Sequence, residues 1–117
     1  MKTQNKLTGR FGEDLAAKFL EKKGYKILKR NWGSRWGEID IIGEVDGVIV
    51  FVEVKTKTSL LYGSPTQMVD SRKLQQIARM AAVYPAGIKQ MKRIDVVTVL
   101  LNRDHSVREI NHYQGVY

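Results

Sequence analysis

Residues 38–55 hold four charged side chains whose types and spacing could do chemistry: Glu38, Asp40, Glu53 and Lys55. Asp46-Gly47, set between Val45 and Val48, is a strong two-residue hairpin signal. With that turn Val45 faces Val48, and the register continued along the ladder puts Asp40 opposite Glu53 and Glu38 opposite Lys55. Two carboxylates about 5 Å apart in a cross-strand pair repel and need a positive group between them. Side chains alternate along a strand, so Glu53 and Lys55 project from one face and Val54 turns away.

Such a set suits phosphodiester hydrolysis assisted by a hard divalent cation. Mg²⁺ or Mn²⁺ takes oxygen ligands, keeps several waters and commonly uses only one or two carboxylates. Asp40 and Glu53 would supply those, and the backbone carbonyl of Val54 a third oxygen. The ion would lower the pKa of a bound water and offset charge at phosphorus, while Lys55 orients or deprotonates the nucleophile or steadies the phosphate. The ordinary alternative is an exposed hairpin whose Glu and Lys pair across the ladder for little energy. Val48-Ile49-Val50-Phe51-Val52 is too apolar for such an edge. The acid-x-Lys pattern alone carries no signal, because Glu21-Lys22-Lys23 repeats it on a predicted helix, where i and i+2 do not face each other.

The elements that must position this cluster follow from periodicity and breakers. Thr8 can cap a helix running to about Lys23, with Gly24 as its stop and Glu13, Ala16, Ala17 and Leu20 on one stripe. Tyr25 to Asn31 reads as a strand and Trp32 to Gly37 as a loop, with further strands at Glu38–Val45 and Val48–Lys55. Thr56 to Thr66 reads as a mobile polar loop. Asp70 or Ser71 caps a second helix, whose core face is Leu74, Ile77, Ala78, Ala81 and Ala82 and which ends at Pro85. Strands at Ile94–Leu101 and Val107–Tyr113 close the chain around a turn at Asp104–Ser106. The expected fold is an α/β sandwich with a mixed sheet, in the order α-β-β-β-α-β-β, whose central strand is apolar on both sides.

The 117 residues suffice for one domain, 1–117, and not for two. Twenty Lys plus Arg against twelve Asp plus Glu give +8, which favours phosphate-rich partners, nucleic acid first. The distribution is uneven: residues 1–37 and 55–93 each carry +7, and residues 38–54 carry −5. Carboxylates between basic segments repel phosphate unless a cation sits among them; solvated strand and turn positions are the plainer alternative. With no Cys there is neither a disulfide framework nor a Cys-ligated zinc site. No apolar run approaches bilayer-spanning length and the first residues lack a signal-type apolar region. The expectation is a soluble cytoplasmic protein without a membrane partner.

Gly37-Glu38-Ile39-Asp40-Ile41-Ile42 followed by Val50-Phe51-Val52-Glu53-Val54-Lys55 resembles the PD-(D/E)xK nuclease signature. Gly9-Arg10-Phe11-Gly12-Glu13, Gly24 to Leu28, Arg30-Asn31, Gly63-Ser64-Pro65, Lys73, Arg93 to Val97 and His112 extend a resemblance to the bacterial YraN-like family over nearly the whole chain. Members of that family are predicted endonucleases similar to archaeal Holliday-junction resolvases. The resemblance implies a restriction-endonuclease-like fold, dependence on Mg²⁺ or Mn²⁺ and a nucleic-acid substrate, probed first as branched or structured DNA. It matches Asp40, Glu53 and Lys55 to the catalytic triplet and Glu13 to the resolvases' first-helix glutamate. Ile39 stands where the signature's name has Pro, and Gln67, where the family often has an acid, is given no role.

Other residues carry two readings. Glu13 is a third carboxylate at the metal or an acid favoured in a helix's first turn. Trp32 and Trp36, interleaved with Arg30 and Arg35, stack on bases and bind phosphates or pack over the sheet edge. Arg72, Lys73 and Arg79, with Lys57, line a nucleic-acid track or keep the surface soluble. Asp95 fits a buried salt bridge better than a metal; His105 and His112 lack zinc spacing and are assigned no chemistry. Symmetric cutting of two strands would favour a homodimer. The competing functions are a nucleic-acid-binding module with a vestigial nuclease site and an adaptor whose charge serves only solubility.

Overall fold

The computed structural model describes residues 2–58, 70–87 and 89–117; Gly63-Ser64-Pro65 and Gln67 lie outside the described residues. The elements are α1 (Lys2–Lys22), β1 (Lys26–Ser34), β2 (Gly37–Val45), β3 (Val48–Lys57), α2 (Ser71–Val83), β4 (Lys92–Leu101) and β5 (Val107–Tyr113). They build one five-stranded mixed sheet in the order β1-β2-β3-β4-β5. The first three strands form an antiparallel meander, α2 carries the chain over to β4 parallel with β3, and β5 returns antiparallel.

Two apolar layers hold the helices to the sheet. Ala16, Ala17 and Leu20 of α1 pack with Ile41, Val50, Val52, Val97 and Val99. Ile77, Met80 and Ala81 of α2 pack with Ile39, Ile42, Ile49, Phe51 and Ile94. β3 therefore buries side chains on both faces, as its unbroken Val and Ile run requires. Asp70 caps α2 by accepting the Lys73 N–H at 2.8 Å. Asp46 and Gly47 both take positive φ, 49° and 78°, the conformation of a tight hairpin turn.

The helix start differs from expectation. α1 runs from Lys2, so Thr8 is an interior residue, because Lys2 to Leu7 includes good helix formers and no Gly or Pro. Its first turn contains no acid, and Glu13 lies near the middle of the helix, beyond the reach of the N-terminal dipole. Gly24 ends the helix turn with φ 94°, as its position suggested. Four strands extend beyond the expected bounds: β1 takes in Trp32 to Ser34, β2 Gly37, β3 Thr56 and Lys57, and β4 Lys92 and Arg93.

Gly12 has a specific use at the α1–β3 contact. A Cβ there would strike Oγ1 of Thr56, so the missing side chain lets the helix approach the end of β3. That approach brings Glu13 toward the strand carrying Glu53 and Lys55.

The hairpin register holds from Val45↔Val48 to Ile41↔Val52 and stops there. The expected Asp40–Glu53 and Glu38–Lys55 ladder pairs do not form. Ile39 joins the α2-side core and Ile41 the α1-side core, although residues two apart should share a face. The alternation slips at Asp40. In β1 the residue between the Arg30↔Ile41 and Trp32↔Ile39 pairs is Asn31, at φ 53°. The irregularity thus spans both strands and turns the Asp40 side chain into the space where β2 and β3 separate.

Candidate active site

A cleft of about 660 Å³ opens where β3 leaves its pairing with β2. Asp40 reaches it from β2, Glu53 and Lys55 from β3, Glu13 from the helix on one face of the sheet, and Lys73 from the helix on the other. The parallel β3–β4 pairing matches Lys55 with Thr98 and Lys57 with Leu100. The β4–β5 turn therefore lies at the carboxyl end of β3, and His105 joins the cleft wall with Lys57.

Asp40 Oδ2 accepts the Val54 N–H at 2.8 Å. A strand residue's N–H and C=O point to the same flank, so the Val54 carbonyl also faces β2. Glu53 is buried, at 7% exposure. Burial, first, and then the hydrogen bond and charge of Asp40 raise its carboxyl well above the ordinary range, against the opposing charges of Lys73 and Lys55. Lys73 Nζ stands 3.7 Å from Glu53 Oε2, too long a separation to offset that burial. Asp40 and Glu53 thus form a close pair of acids, and burial beside Asp40 disfavours the charged form of Glu53.

Glu13 stands at the side of this pair. Its carboxyl is pushed up to about 7, by burial chiefly and by Asp40, with Arg30 opposing and Glu38 and Asp14 adding. With its amide nitrogen turned toward them, Asn31 donates to Glu13 Oε1 and Glu38 Oε1, each at 2.9 Å. Glu38 therefore joins the acids through Asn31, and pairs with Gly33 in the ladder instead of facing Lys55.

The donor set fits a hard divalent ion. It consists of oxygen donors only: the paired Asp40 and Glu53 carboxylates and the Val54 carbonyl. Among the described residues no group of three or more Asp, Glu or His side chains is arranged to hold a metal ion.

The remaining sequence candidates separate into groups. Lys57 shares the first cleft. Trp36, Arg72, Lys73 and Arg79 line a second cleft, into which Lys73 also projects. The Arg35 guanidinium lies 4.9 Å from the Trp36 ring centroid. Arg30 is tied to Asp14 at 2.8 Å, and Trp32 packs edge-on against Tyr84 with centroids 5.3 Å apart. Asp95 is wholly buried among Arg93, His112 and the Gly115 N–H, a salt-bridge position.

From the sequence Asn31 carries no site role beyond the resemblance, His105 is assigned no chemistry, and nothing points to the contact of Lys73 with Glu53. Asn31 had a local signal, since Asn is among the residues that tolerate left-handed backbone. His105 and Lys73 had none, because a parallel crossover and a helix docking bring them in.

Fold and site together define an α/β protein with a five-stranded mixed sheet and an acid–lysine cleft at one end of its central strand. The chain belongs to a family described as uncharacterised protein family UPF0102, whose pattern matches residues 12–99. That span includes Glu13, Asn31, Asp40, Glu53, Lys55 and Lys73. The chain is 46% identical to a UPF0102 protein of Caldanaerobacter subterraneus subsp. tengcongensis over all of both chains. It is 44% identical to one of Syntrophomonas wolfei, covering 92% of this chain and 95% of the other. It is 40% identical to one of Clostridium perfringens, covering 100% and 98%. Among the described residues no helix is long and apolar enough to cross a membrane.

Proposed function

We propose that the chain is a divalent-metal-dependent endonuclease that hydrolyses phosphodiester bonds in DNA, with branched or structured DNA as the first substrates to test. The observation that carries this reading is the buried Glu53 carboxyl sharing one cleft with Asp40, Lys55 and Lys73. Two acids brought together at the end of a strand destabilise the fold unless a positive group joins them.

Asp40, Glu53 and the Val54 carbonyl would hold Mg²⁺ or Mn²⁺, which when bound offsets phosphate charge and acidifies water. Lys55 and Lys73 face the same cleft from strand and helix and would bind the phosphate's non-bridging oxygens, with Lys55 placed to orient the nucleophile. Glu13 stands ready to take up or give a proton beside Asp40. The basic stretches on either side of the acids would draw the polyanion in.

The test is incubation of purified protein with branched, single-stranded and duplex DNA in Mg²⁺ or Mn²⁺, alongside Asp40→Ala and Lys55→Ala. The expected result is cleavage by the natural chain and none by either variant. Cleavage that survives both substitutions, or none by the natural chain on any substrate, overturns the reading.

A further inference from the structure

The second cleft, on the α2 side of the sheet, has a volume of about 460 Å³. Its walls include Trp36 from the β1–β2 turn and Arg72, Lys73, Gln75, Gln76 and Arg79 from α2. Lys73 lines both clefts, so the two adjoin at its side chain.

Asp70 also lines the cleft, held in place by capping α2 through the Lys73 N–H, and the other wall groups have uses toward a nucleotide. Trp36 is packed against the core that contains Phe51 and Ile39, and the Arg35 guanidinium lies 4.9 Å from its ring centroid, so a base would stack on the indole by displacing Arg35 or would stack on the guanidinium plane itself. Aromatic faces stack on bases without regard to sequence. The Gln75 and Gln76 carboxamides carry a donor and an acceptor each, the pattern that matches base edges. Gln76 owes its place to Gly37, where a Cβ would strike its side-chain amide. Arg72 and Arg79 are two helical turns apart, about 10 Å along the axis, which leaves room for a base between two phosphate contacts. The volume lies in the range of small-ligand pockets.

We propose that this cleft seats an unpaired nucleotide of a DNA strand, its base against Trp36 and its flanking phosphates on Arg72 and Arg79. The binding claim stands on the cleft itself. Its consequence, that cutting falls beside unpaired nucleotides, rests on the nuclease reading above.

The experiment follows tryptophan fluorescence in EDTA while the full chain is titrated with a dT oligomer of about 12 nucleotides or a blunt duplex of equal length. The oligomer is expected to bind about tenfold more tightly than the duplex and to quench emission. Arg72→Ala/Arg79→Ala should remove that preference, and Gln75→Ala should reduce it. Arg103→Ala/Arg108→Ala, on the β4–β5 side, should weaken both ligands alike through charge alone. Equal affinity for oligomer and duplex, or a preference untouched in Arg72→Ala/Arg79→Ala, overturns the proposal. Glu53→Gln separates the two readings. It should abolish cleavage while leaving oligomer binding within about twofold, and a loss of binding equal to that of the arginine variant would place the oligomer in the first cleft and overturn the second. A chain that cuts DNA without the oligomer preference retains the nuclease reading and loses this one. A chain that prefers the oligomer and cuts nothing does the reverse.

Discussion

Asp40 Oδ2 accepts the Val54 N–H at 2.8 Å, so a side chain takes over the bonding place that the β2 backbone gives up where the ladder ends. The same carboxylate shares the cleft with Glu53 and, after burial, helps to raise the Glu53 carboxyl. One acid therefore closes the sheet and builds the site. Asp40→Ala leaves a partly buried N–H unpaired and is expected to cost about 1–3 kcal/mol in urea unfolding. Asp40→Asn keeps an acceptor oxygen and should cost less. An alanine variant as stable as the natural chain would mean that the contact contributes nothing.

Acid pairing also sets how stability follows pH. The folded chain raises Glu13 to about 7 and raises Glu53 further, in both cases chiefly by burial. The folded state therefore holds protons that the unfolded state releases. This contribution is complete below the ordinary carboxylate value of 4.5 and is lost as pH rises through the raised values. Metal-free protein should lose Tm from about pH 5 to about pH 8, with the decline flattened in Glu13→Gln and Glu53→Gln. Tm rising through that window in the natural chain, and not in the variants, would reverse the assignment.

Asp95 works in the opposite direction and for the fold alone. Burial would raise its carboxyl, but hydrogen bonds from His112, Arg93 and Gly115 together hold it below the ordinary range. Arg93 Nε lies at 2.8 Å and His112 Nε2 at 2.7 Å, and Arg93 also donates to Tyr25 at 2.7 Å. The network ties β5 and the segment after it to β4 and to the end of α1. Its contribution is present above 3.8 and is lost as pH falls through the lowered value. Asp95→Ala leaves the Arg93 guanidinium and the buried His112 ring without their acceptor and should cost about 3–5 kcal/mol in urea unfolding; a loss under about 1 kcal/mol would show the network to be dispensable.

Gly12→Ala tests the close passage of α1 over β3. The new methyl group meets Thr56 Oγ1, and overpacking of this kind costs about 1–3 kcal/mol. Thr56→Ala should recover part of the loss in the double variant, as read by urea unfolding. Gly12→Ala stabilising the chain, as its helix propensity alone would suggest, would mean that the helix does not need this approach.

The hairpin could be read from the sequence because Asp46-Gly47 fixes the turn and an apolar run on β3 fixes the face. The slip at Asp40 could not. Glu38-Ile39-Asp40-Ile41 alternates perfectly, and only the neighbouring strand, with Asn31 at positive φ, shows why Ile39 and Ile41 part company. The acid pair survives the slip because Asp40 is carried toward Glu53 by its side chain instead of by the ladder. Lys73 reads locally as one more cation on a wet helix face; its approach to Glu53 depends on the docking of α2 through Ile77 and Met80. His105 reaches the cleft through the parallel pairing of β3 with β4, a long-range choice that no local pattern encodes.

Whether Asp40 and Glu53 share a cation is the claim on which the rest depends. Isothermal titration of the metal-free chain with Mg²⁺ or Mn²⁺ near pH 7, repeated in buffers of different ionisation enthalpy, measures uptake and proton release together. The expected result is binding accompanied by proton loss, weakened at least about tenfold in Asp40→Asn and in Glu53→Gln. No heat of binding, with or without an oligonucleotide present, or uptake unchanged in both variants, would contradict it.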